Sequence, residues 1–154
     1  MSTVLNSSRF LDYVTSLAAS SGLFDSVTGH EPKAAPAPTG VSCSVWVSSM
    51  RPVQSSGLAS VSIRLELQAR IFTSMLQEPQ DPIDPRVTDA AGLLMNALIG
   101  NFTVAGQARA VDVFGMDGEG LRAQAGYLNQ DGKLFRVMDI MIPIIVNDLW
   151  DEVA

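Results

Sequence analysis

Residues 61–71, VSIRLELQARI, alternate without a break. Val61, Ile63, Leu65, Leu67, Ala69 and Ile71 fall on one side of an extended chain, and Ser62, Arg64, Glu66, Gln68 and Arg70 fall on the other. Helical spacing would scatter those apolar residues around an axis, so the stretch predicts a strand with one buried and one polar face. Whatever else the chain does, it must supply layers that cover the apolar side.

The flanking segments provide them. A helix is predicted from Ser7 or Ser8 to about Ser21, capped by a serine, with Phe10, Leu11, Val14, Leu17 and Ala18 at three- and four-residue spacing and Gly22 as its stop. Leu23, Phe24 and Val27 pack back as the chain leaves it. Residues 28–40, rich in proline and glycine (Pro32, Pro36, Pro38, Gly40), predict a long loop. Residues 41–53 alternate again, with Val41, Cys43, Val45 and Val47 on one face and Trp46 on the other. With a turn at 54–59, they form an antiparallel hairpin with the central strand. Trp46 then stands opposite the core and needs a cover.

Beyond Ile71 the pattern breaks in a proline and acid loop spanning about 72–85, where Glu78, Asp81 and Asp84 each precede a proline. Asp84 and Pro85 predict the start of a second helix, with the aspartate as its cap. Val87, Ala90, Ala91, Leu94, Met95, Leu98 and Ile99 carry its apolar face to about Gly100 and Asn101. Residues 102–106 read as a short strand or turn, 108–114 as a strand, and 121–128 with 134–146 as a last hairpin turning at Asp131 and Gly132. Pro143 costs that last strand a ladder hydrogen bond, which predicts a bulge or a change of neighbour there. The expected fold is α+β, a mostly antiparallel sheet of four to five strands with two helices packed on it, in the order α-β-β-α-β-β-β. One domain over 1–154 is the length-based expectation.

Hydrophobic residues make up 47% of the chain and charged ones 17%, a balance that suits a subunit partly covered by others. A net charge of -6 argues against affinity for nucleic-acid phosphates. Like charge still lets such a protein border DNA that slides past. The N-terminal residues carry neither a secretory nor a transit pattern, and the longest apolar run, 137–146, is interrupted by Asp139 and Pro143, so no membrane span is expected.

The residues offer no catalytic constellation. His30 is the one histidine and sits in a loop with no orienting partner. Glu78, Asp81 and Asp84 lack the ligand spacing of a metal loop and read as a solvated or subunit-facing surface. Residues 115–120, GMDGEG, lack the Lys-Ser/Thr ending of a phosphate-binding loop and connect strands. Cys43 alternates with core valines, and as the one cysteine it excludes an intrachain disulfide. No cofactor, metal or catalytic residue is assigned.

Three stretches, GLFDSVTGHEPKAAP (22–36), IFTSMLQEPQDPIDP (71–85) and AGYLNQDGKLFRVMDIMIPIIVNDLW (125–150), resemble the tail terminator proteins of long-tailed, siphovirus-type bacteriophages, in the branch found in phages of actinobacteria. The resemblance implies a structural protein of the virion tail, at its head-proximal end, assembled in the host cytoplasm. It implies a homo-hexameric ring that caps the tail-tube protein, halts polymerisation and offers a docking surface to the head-completion (stopper or connector) protein. Genome DNA would pass through the lumen without specific binding. A head-tail adaptor or stopper is the alternative within that class, and a small hydrolase or ligand-binding domain the alternative outside it. A ring needs a patch that meets a different patch on the next copy. Trp46, Arg64, Glu66, Arg70, Met75, Gln80 and Asp84 are the interface candidates.

Overall fold

The computed structural model describes residues 5–33, 40–53 and 60–151. The turn expected at 54–59 and the prolines Pro36 and Pro38 lie outside the described residues.

The first helix, α1, is Ser7–Ser20 and buries Phe10, Val14 and Ala18, one residue per turn along a single stripe. Its cap position is Asn6 rather than either serine, and the cap side chain makes no hydrogen bond. Gly22, at φ +74°, turns the chain away. A strand that the sequence did not predict then forms where Val27 packs back and the expected loop begins at Thr28: β1, Ser26–Thr28, lies parallel to β2, Val41–Pro52. β2 runs antiparallel to β3, Ser60–Ser74, as the alternation predicts.

Helix α2, Ile83–Gly100, begins ahead of the expected cap. Asp84 lies in its first turn, where its Oδ1 accepts from Arg136 Nε at 2.9 Å, and Pro82 holds the cap position. Ile83 is buried, so drawing it into the first turn outweighs a carboxylate cap. Val87, Ala90, Ala91, Leu94 and Leu98 face inward as predicted, whereas Ile99 points out and is 45% exposed. Residues 102–106 are turn, and the strand expected over 108–114 shrinks to β4, Ala110–Val111. β5, Arg122–Gln130, and β6, Lys133–Asp151, close the chain in a hairpin whose turn residues Asp131 and Gly132 take φ of +53° and +73°.

The architecture is α+β. Among the described residues its sheet has six strands in the order β1-β2-β3-β6-β4, with β5 also on the outer side of β6. β6 changes outer neighbour where its proline sits: β5 pairs as far as Met141, and β4 begins at Ile144. The Pro143 carbonyl accepts from the Asp112 N–H at 2.9 Å, so the ring nitrogen points to that same outer side. The missing donor therefore falls in the gap between two neighbours and leaves the β3–β6 ladder intact.

One sheet face carries Ile63, Leu65, Leu67, Ala69 and Ile71 of β3 with Ile140, Ile142 and Ile144 of β6, all buried beneath α1 and α2. Each of the leucines and isoleucines among them stabilises the fold by roughly 1.5–3 kcal/mol. Among the described residues no helix is long and apolar enough to cross a membrane.

Candidate assembly surface

The other face of the sheet is built on the polar row of β3. Its far end is closed by residues 112–120, which leave β4 and cross back over the strands. Asp112 organises that crossing: Oδ1 accepts from the N–H groups of Gly115 (3.1 Å) and Met116 (2.8 Å), and Oδ2 from the N–H of Asp117 (3.0 Å). Oδ2 also accepts from Arg64 Nη1 at 2.9 Å. Arg64 donates from Nε to Glu66 Oε1 at 2.7 Å, and from Nη2 to the carbonyl of Glu119. Arg51 Nη2 reaches the carbonyl of Asp117 at 2.9 Å. The loop is thus fastened to the sheet at three of its residues.

Two glycines make the crossing possible. Gly118, at φ +140°, rides so close that a Cβ there would lie 2.4 Å from Arg51 Nη2, and at Gly115, φ +81°, one would lie 2.6 Å from the Gly118 carbonyl oxygen. Burial pushes the Asp112 carboxyl up, but the N–H groups of Asp117 and Met116 and the charge and hydrogen bond of Arg64 outweigh it and hold it below its ordinary value. At Glu66 burial is likewise outweighed, by hydrogen bonds from Arg64 and Ser49 and the charges of Arg64 and Arg51. Both stay ionised at neutral pH.

Fastening the loop displays its apolar residues. Phe114 is 94% exposed and Met116 91%. With Ile99, Phe102, Val111 and Val113 they line an open cavity of about 640 Å³ beside β4. The middle of the face is polar: Arg70 Nε donates to Asp139 Oδ1 at 2.6 Å, and its guanidinium lies over the Trp46 ring at 5.3 Å from the centroid. The near end is a small second core in which Phe72 meets Phe135 edge to face, centroids 6.3 Å apart, beside Val137 and Leu128.

The structure brings Trp46, Arg64, Glu66 and Arg70 together on this face. Arg64 is fully enclosed within its own chain, so it reaches a neighbour only through the loop it holds. Met75, Gln80 and Asp84 lie elsewhere, beyond the end of β3. The Met75 N–H donates to the Leu134 carbonyl, the Gln80 carbonyl accepts from the Ile83 N–H, and Asp84 pairs with Arg136. Sequence reasoning missed Phe114, Met116 and Phe102. The available signal was apolar residues flanking a glycine-dense turn, FGMDGEG.

His30 is exposed in the loop after β1, and Cys43 is buried in the core, its thiol pushed up to about 12 by burial. Among the described residues no group of three or more His, Cys, Asp or Glu is placed to hold a metal ion.

No protein-family model matches the chain, and no curated protein does. Solved structures similar to it include a chain of the virion of a native gene transfer agent particle, at 18% identity and a TM-score of 0.42, covering 84% of this chain and 83% of that one. The sheath/tube terminator of an extracellular contractile injection system, PVC, in the extended state is similar at 13% identity and a TM-score of 0.40. That match covers 96% of this chain and 59% of the other, so the present chain spans under two thirds of its length.

Proposed function

We propose that this chain is a structural subunit of a phage-type tail: a terminator that forms a hexameric ring on the last turn of the tail tube, stops tube growth and offers a docking surface to the head-completion protein. The observation that carries the reading is the fastened loop. A buried ion pair and a set of backbone hydrogen bonds are spent on holding Phe114 and Met116 in water, an arrangement that favours a preformed contact surface. The sequence resemblance over residues 22–36, 71–85 and 125–150 supplies the kind of assembly. Trp46, Glu66, Arg70, Met75, Gln80 and Asp84 remain proposed contacts, with Arg64 acting from inside.

No step in this role needs a nucleophile, a metal or a cofactor. A net charge of -6 suits a conduit through which DNA passes without adhering. Negative-stain imaging of the purified protein with and without tail-tube protein tests the proposal. Rings seated on tube ends are expected, and bare tube ends beside dispersed single subunits would refute it.

A further inference from the structure

Plain alternation along β2 would put Arg51 on the helix side of the sheet. Val41, Cys43 and Val45 are buried in the core, and steps of two from them reach Val47, Ser49 and Arg51. The register interrupts that series. It passes from Val47 opposite Leu67 to Ser49 opposite Glu66, so Ser48 is an extra residue, a β-bulge, and every later side chain changes face. Ser49 and Arg51 thereby join the polar row of β3: Ser49 Oγ donates to Glu66 Oε2 at 2.8 Å, and Arg51 stands directly opposite Arg64. Met50, opposite Leu65, takes the apolar side, where it is 49% exposed.

Two guanidiniums directly opposite each other across an antiparallel pair repel. What offsets that cost lies in the loop above them. Arg51 Nη2 donates to the Asp117 carbonyl at 2.9 Å and Arg64 Nη2 to the Glu119 carbonyl, one on each side of Gly118. A Cβ on Gly118 would lie 2.4 Å from Arg51 Nη2 and 3.1 Å from Arg64 Cζ, so the backbone there rests on both side chains. We propose that the bulge at Ser48 is a positioning device for the contact surface, and that Arg51, turned under residues 117–119 by it, is the positioning residue that sets how Phe114 and Met116 are displayed; the inference rests on the docking role proposed above. Arg64 is sealed and serves fold and loop together. Arg51 is exposed and its printed bond is to one loop carbonyl, so its removal falls on the loop and hardly on the fold.

Three full-length variants test this: Arg51→Met, Arg51→Lys, and the transposed pair Met50→Arg with Arg51→Met, which keeps wild-type composition and charge but moves the guanidinium to the other face. Each is measured for amide hydrogen exchange over residues 115–119, for its urea midpoint and for tube capping. Arg51→Met and the transposed pair should speed loop exchange about tenfold, the factor that one hydrogen bond from a charged donor is worth, and weaken capping. Arg51→Lys should stay near wild type, because one ammonium can serve one carbonyl. Urea midpoints should remain near wild type in all three. Unchanged loop exchange in Arg51→Met or in the transposed pair would overturn the proposal. So would a fall in the Arg51→Met midpoint as large as that of Arg64→Met, which would make the residue part of the fold. The tail role is scored apart from this by the wild-type protein. Tubes left uncapped by it while position 51 still governs loop exchange would remove the role and keep the positioning, and capping with unchanged exchange in every variant would do the reverse.

Discussion

Arg64 and Asp112, 48 residues apart in the chain, meet with Nη1 to Oδ2 at 2.9 Å and side chains that are 0% and 5% exposed. Asp112 is also the acceptor for three successive N–H groups of its own loop. One carboxylate thus folds the loop and ties it to the sheet, and one guanidinium closes the tie from below.

Arg64→Met removes that guanidinium and leaves two carboxylates and a carbonyl without their shared donor. A loss of about 3–5 kcal/mol in urea unfolding is expected, the cost of breaking a buried pair from one side. Arg64→Lys recovers only part of it, because one ammonium cannot reach Glu66, Asp112 and the Glu119 carbonyl with the geometry of a fork. The loop loses its Arg64 fastening in the methionine variant and part of it in the lysine variant, which limited proteolysis between Phe114 and Met116 reads directly.

Stability should fall on acidification. Asp112 and Glu66 have folded-state values below their ordinary ones, so their contribution is present above the unfolded value, about pH 4, and is lost as pH drops through the lower folded value. Urea midpoints therefore decline below about pH 4. Asp112→Asn lowers the neutral-pH midpoint and flattens that decline; an unchanged slope would contradict the assignment.

Gly118→Ala tests the close crossing. Its φ of +140° disfavours any side chain, and the added methyl meets Arg51 Nη2. A loss of about 1–3 kcal/mol in thermal or urea unfolding is expected. Adding Arg51→Ala relieves the clash but not the backbone strain, so recovery should be incomplete.

Cys43 should be inert in the folded protein. It is 1% exposed and its thiol is pushed up to about 12, which leaves almost no thiolate at neutral pH. Labelling by an aromatic disulfide reagent is expected only in denaturant, and rapid native labelling would contradict the core placement.

Much of the scaffold was legible because its signals are local. The alternation of β3, the Asp131-Gly132 turn and the spacing of Val87, Ala90, Leu94 and Leu98 each decide an element within a few residues. What was missed depends on distant partners. β1 is three residues long, too short to show a period, and exists through its pairing with Ser42–Ser44. Val111 and Val113 alternate like a strand, yet Asp112 between them recruits the following N–H groups and ends β4 early. The charged row of β3 was readable as one face. That Arg64 lies sealed under a loop was not, because its partner is so far along the chain. The exposure of Phe114 and Met116 follows from that seal and carries no periodic signature.

The measurement that bears most directly on the tail role is the length distribution of tubes assembled from tail-tube protein at rising concentrations of this chain. A terminator predicts tubes that shorten or stop growing once it is present, with wild-type protein effective and the Arg64→Met and Phe114→Asp proteins impaired. Tubes that elongate equally with and without the wild-type protein would contradict the account.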